Sequence, residues 1–86
     1  MSSSNVRPGR LTLKAARVQL GMDQAQLAQA SGLSRKAIVE FEKGHTSPHE
    51  ATWQAIQSAL EARGIVFTNG DKPGFYFDKT KVDIPS

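Results

Sequence analysis

Residues 23–44, DQAQLAQASGLSRKAIVEFEKG, read as two short helices joined by a tight turn at Gly32. Asp23 stands where an N-cap belongs, and Gln26, three residues on, can reach back to it as a variant of the capping box. Ser34 is placed to cap the second helix. Gly32 supplies the left-handed conformation that closes the first helix at little steric cost. Leu27 and Ala28 face inward from one helix, Ile38 and Phe41 from the other. The second helix opens on two adjacent cations, Arg35 and Lys36.

The same punctuation extends outward. Gly21, Gly44 and Gly64 also fall where helices should stop. Before Gly21, Leu13, Ala16 and Leu20 share one face of a helix expected from about residue 12 to residue 20. After Gly44, Ser47 as cap, Pro48 at the first helical position and Glu50 form a start signal. A helix is expected from there to about residue 63, with Trp53, Ile56 and Leu60 turned to the core. Beyond Gly64 the period changes. Ile65, Val66, Phe67 and Thr68, then Phe75, Tyr76 and Phe77, are β-branched and aromatic runs, separated by turn formers at 69–74. The expected fold is mainly α: four helices with a short C-terminal β-strand or hairpin. Residues 1–8 and 78–86 are expected to fray.

With 86 residues there is room for one small domain, and so short a chain would gain from dimerisation. No cysteine is present, which removes disulfides and thiolate metal sites. No apolar run suggests a signal peptide or a membrane span, so a cytoplasmic protein is expected. The net charge is +3, and its distribution says more than its size. Residues 1–22 carry Arg7, Arg10, Lys14 and Arg17 and no acid, whereas residues 65–86 balance three lysines against three aspartates. Such an excess favours a polyanionic partner. His45 and His49 lie four apart, but a helix start between them and the lack of a third ligand other than Glu50 argue against a metal. No serine is placed with a base and an orienting acid, and no phosphate-cradling fingerprint occurs. Neither catalysis nor a cofactor is expected.

A compact helix pair that presents a basic helix N-terminus is suited to a DNA major groove. Residues 24–48 resemble the Xre/Cro/lambda-repressor family of helix-turn-helix regulators. The resemblance rests on Gln24, Ala28 at the helix crossing, Gly32 in the turn, Ile38 and Phe41 in the core, and the ending Glu42, Lys43, Gly44. Gln19, Leu20 and Gly21 on one side, with Ser47 and Pro48 on the other, extend it over roughly residues 11–60. It implies a DNA-binding domain at 11–64, preceded by a flexible basic arm at 1–10 and followed by a β extension at 65–77 and a flexible tail at 78–86. It further implies a sequence-specific regulator of transcription, a dimeric repressor or autoregulator on double-stranded DNA, with residues 34–43 as the recognition helix. Arg35, Lys36 and Glu40 would then read bases, arginine and lysine at guanine O6/N7 and glutamate at a cytosine amine. Gln24, Ser34, Lys43, His45, Thr46 and Ser47 would meet phosphates.

Blander readings stand beside these. Arg35 and Lys36 can be solvated, and Glu40 can pair with Lys36 at i,i+4. Val39 falls on the outer face, either exposed or against a thymine methyl. The family pairs a helix-one arginine with the glutamate at the Glu42 position, which would make Arg17 and Glu42 a structural ion pair. Arg7 and Arg10 could enter a minor groove. Ile65, Val66, Phe67, Phe75 and Phe77 could dimerise, one strand pairing with its copy in a second subunit to form an intersubunit ribbon. The alternative is a hairpin folded on its own helices. A rival function is a protein-binding helix-turn-helix module, an antitoxin or antiactivator that captures a partner through Phe75, Tyr76 and Phe77.

Overall fold

The computed structural model describes residues 8–44, 49–68 and 74–82. Four helices come first: α1 (Arg10–Gln19), α2 (Gln24–Ser31), α3 (Arg35–Lys43) and α4 (Glu50–Glu61). Two antiparallel strands follow, β1 (Ile65–Thr68) and β2 (Gly74–Phe77), and then a single 3₁₀ turn over Lys79–Lys81. Among the described residues, no helix is long and apolar enough to cross a membrane.

Local chemistry sets the helix ends around the central turn. Asp23 accepts from the Gln26 amide at 2.7 Å, while the Gln26 side chain accepts from the Asp23 amide at 2.8 Å, so the capping box is closed in both directions. Gly32 ends α2 at φ 75°, and Leu33 N–H then reaches back to the Ala28 carbonyl at 3.0 Å. That left-handed residue reverses the chain within two positions, and Ser34 starts α3 by accepting from the Ala37 amide at 3.0 Å.

The core gathers one stripe from each helix. Leu13 and Ala16, Leu27 and Ala28, Ile38 and Phe41, and Ile56, Ala59 and Leu60 are all buried, joined by Ile65 from β1. Trp53 is half-buried and sets its ring edge-on to Phe41, with centroids 5.0 Å apart. Its indole N–H donates to the Pro8 carbonyl at 2.8 Å, tying the segment before α1 to α4.

Several boundaries differ from the sequence reading. α1 begins at Arg10, two residues early, so Arg10 belongs to the folded domain and not to a loose arm. α4 begins at Glu50 with His49 at its cap position, which displaces the expected Ser47 cap and the Pro48 start. Ser47 and Pro48 themselves lie outside the described residues, as does Arg7. β1 pairs with β2 of the same chain, Ile65 opposite Phe77 and Phe67 opposite Phe75, the hairpin arrangement named as the alternative to a strand pairing with its copy. Ile65 is buried in the core of its own chain. The hairpin has a local reason. Ile65, Phe67 and Phe75 pack down on the helices, and an isolated ribbon without such support is marginal.

Residues 78–82 are likewise not a loose tail. The Asp78 amide donates to the Gly64 carbonyl at 2.7 Å, and Asp78 Oδ1 accepts from both the amide and the hydroxyl of Thr80. Gly64 permits this closure. Its φ is +98°, and a Cβ there would stand 2.7 Å from Phe77 Cε1 and 2.9 Å from the Asp78 carbonyl oxygen.

Candidate nucleic-acid interface

The outer surface of α3 and the N-terminus of α2 are held by one hub, Glu42. The Glu42 side chain is buried, yet its carboxylate is fully engaged. Arg17 donates to it through Nε at 2.7 Å and Nη2 at 2.9 Å in the two-pronged geometry that suits guanidinium and carboxylate. Gln24 Nε2 donates to the same carboxylate at 3.0 Å. The remaining prong of Arg17, Nη1, donates to the Met22 carbonyl at 2.6 Å. Among the described residues, no buried side-chain polar atom lacks a partner. Such completeness is what makes a buried ion pair tolerable, because each desolvated lone pair and proton is compensated.

Arg10 adds a third strand to this knot. Its Nη1 donates to the Glu42 backbone carbonyl at 2.7 Å, one of the acceptors that the end of α3 leaves without a helical partner. A cation at a helix C-terminus also meets the negative end of the dipole. Arg10 therefore clasps α1 to α3. The sequence carries a signal for it: Arg10 and Arg17 are seven residues apart, two turns of one helix face.

What this frame leaves outward is cationic. Arg35 and Lys36 are exposed in the first turn of α3, and Lys43 is exposed at its end. Glu40 and Val39 are half-buried. Ser34 Oγ is occupied as an acceptor for the Ala37 amide, which leaves its hydroxyl hydrogen as the group able to donate to an anion. The Gln24 amide uses one N–H on Glu42, so its second N–H is the donor it can offer elsewhere. His45 and Thr46 lie outside the described residues. The two helix N-termini are not equivalent. Asp23 puts a carboxylate at the start of α2, whereas the cap of α3 is a neutral serine, so the dipole of α3 is the less compensated for an incoming anion.

Two short helices crossing at a small residue, with a left-handed glycine turn and an outward basic N-terminus, form a helix-turn-helix. A helix-turn-helix family model of the Cro/C1, Xre-like type matches residues 13–64. The chain belongs to this family. The match runs from the first buried leucine of α1 to the glycine that follows α4, so it covers the helical core and stops before the hairpin. The family is one of DNA-binding regulators and not of enzymes, and a DNA-binding helix-turn-helix regulator is the function class it supports. No curated protein matches this helix-turn-helix chain.

A different surface lies between α1 and β2. Leu11 and Val18 on α1 are exposed, and with Lys14, Ala15 and Gln19 they line a groove closed by Phe75 of β2. Tyr76 and Phe77 are also about half exposed.

Proposed function

We propose that this protein is a sequence-specific regulator of transcription that binds double-stranded DNA as a homodimer and acts as a repressor or autoregulator. The observation that carries the proposal is the orientation of α3. Its inner face is pinned by the Arg17–Glu42 pair and the Arg10 clasp, so its first turn presents Arg35 and Lys36 outward on a rigid base. In this reading α3 enters the major groove. Arg35 and Lys36 meet base edges, while Gln24, Ser34 and Lys43 meet phosphates and set the register. Glu40, half-buried beside them, reaches a base edge only if it swings outward, so it ranks behind the two cations. A two-fold dimer would place its half-sites about 34–36 Å apart, one turn of DNA.

Selection from random duplexes, followed by binding at several salt concentrations, tests this. A two-fold enriched site with affinity falling steeply as salt rises is the expected result. Salt-insensitive binding, or no enrichment, overturns it.

A second reading is favoured by the apolar groove between α1 and β2, where Leu11, Val18 and Phe75 stand exposed or half-exposed. That surface suits a protein partner, as in an antitoxin or antiactivator. Persistent monomer at high concentration together with absent DNA binding would move the assignment to that reading.

A further inference from the structure

We infer that Val39 reads a thymine, its methyl groups packing on the thymine C5-methyl in the major groove. The inference rests on the proposed insertion of α3 into that groove. It adds to that reading a specificity-determining side chain and the base it selects.

The placement follows from helix geometry. Successive residues turn about 100°, so Val39 lies about 40° round from Arg35 and about 60° short of Lys36. It therefore sits in the arc between the two exposed cations, one turn further along. Glu42 lies about 20° beyond Arg35 on the other side. Glu42 is bonded to Gln24, the first residue of α2, so this flank of α3 is the one turned toward the N-terminus of α2. Val39 thus stands one turn behind the tip of α3 and about 60° round from the flank that α2 covers, within the footprint framed by Arg35, Lys36 and Gln24.

Its chemistry is out of keeping with that frame. The core of α3 is supplied by Ile38 and Phe41, and Val39 is not among the buried core residues. It is half-buried, yet it is neither in the core nor among the side chains packed against it, and it is a β-branched residue of low helix propensity between charged neighbours, so core packing and helix formation do not account for it. It has no donor or acceptor to offer a base edge. In the major groove the one apolar feature is the thymine methyl, and a stiff branched side chain held by a single preferred rotamer is suited to packing on it. Val39 is about 6 Å along the axis from Arg35, four residues at 1.5 Å each. At 3.4 Å per base step, the thymine should lie one to two base pairs from the guanine that Arg35 contacts, for a helix lying along the groove.

The test uses the intact protein and the duplex enriched in the selection. Each thymine of one half-site is replaced in turn by deoxyuridine, which removes only the C5-methyl. At one position the wild type should lose about fourfold in affinity, the effect of one buried methyl group. Val39→Ala should bind the thymine and uracil duplexes equally at that position while keeping its preference at the guanine. Val39→Ile, which keeps the branched apolar surface, should retain the discrimination. A wild type indifferent to every uracil, or a loss of the same size in Val39→Ala, overturns the inference while leaving DNA binding intact. Failure to enrich any site overturns the inference and the proposed function together. Circular dichroism of each variant confirms that the helices are unchanged.

Discussion

Replacing Glu42 with alanine should cost this domain a large share of its stability. The side chains of Arg17 and Glu42 are 10% and 3% exposed, and the carboxylate accepts three hydrogen bonds, two from Arg17 and one from Gln24. Alanine removes all three and leaves the guanidinium buried with only its bond to the Met22 carbonyl. Removing one partner of a buried pair costs about 3–5 kcal/mol, most of it the penalty of the charge left behind. A chain of this length has roughly 4–13 kcal/mol in total. The variant should therefore melt at least roughly 12 °C lower, at about 4–8 °C per kcal/mol for a domain of this size. Thermal and urea unfolding followed by circular dichroism measure it. A paired control separates the lost bond from the stranded charge. Arg17→Met combined with Glu42→Leu removes both charges and should be clearly more stable than Glu42→Ala alone. A Glu42→Ala melting point within about 2 °C of the wild type, a shift worth well under 1 kcal/mol, refutes the reasoning. So does a double variant as unstable as the single one.

Other outcomes follow from the same geometry. Gly32→Ala places a Cβ in open space at φ +75°, so only backbone strain of about 1–2 kcal/mol should appear. Gly64→Ala adds collisions with Phe77 and the Asp78 backbone, and should cost roughly 2–5 kcal/mol; equal melting of the two variants would contradict this. Arg35→Ala should lose about 1–3 kcal/mol of binding and relax preference at one base pair, whereas uniform weakening on all sequences would make Arg35 a phosphate contact. The Thr80 hydroxyl, then the Thr80 amide, hold the Asp78 carboxyl below its ordinary pKa of 3.8. A depressed value means that this bond stabilises the fold above 3.8 and is lost as pH falls through the lowered pKa. The Thr80 amide resonance should therefore titrate with a midpoint below 3.8, and Asp78→Asn should abolish that movement.

Much of the site is legible in the amino-acid sequence because its signals are local. Asp23 with Gln26, Ser34 and Gly32 each act within three or four residues, so their spacing alone marks where α2 and α3 begin and turn. The apolar stripes at Leu13, Leu27, Ile38 and Ile56 carry the helical period, and the cations at Arg35 and Lys36 declare an outward face. The spacing of Arg10 from Arg17 marks only the helix face that Arg10 shares; its partner, a carbonyl at the end of α3, is 32 residues away and has no side-chain signature. For the same reason the family resemblance, which implies a phosphate donor at Gln24, gives no hint that Gln24 fastens to Glu42.

The sequence by itself thus determined the four helices, the caps of α2 and α3, the glycine turn and the basic helix tip, since each is a short-range preference of the backbone or of hydrophobic periodicity. Only the tertiary structure decided which face of α3 is pinned and which is free, that β1 pairs with β2 over the helices, and that residues 78–82 close against Gly64. These depend on long-range pairings in which a buried donor must find whichever acceptor the packing brings near. A side chain's partner is then a property of the fold and not of its neighbours in the chain.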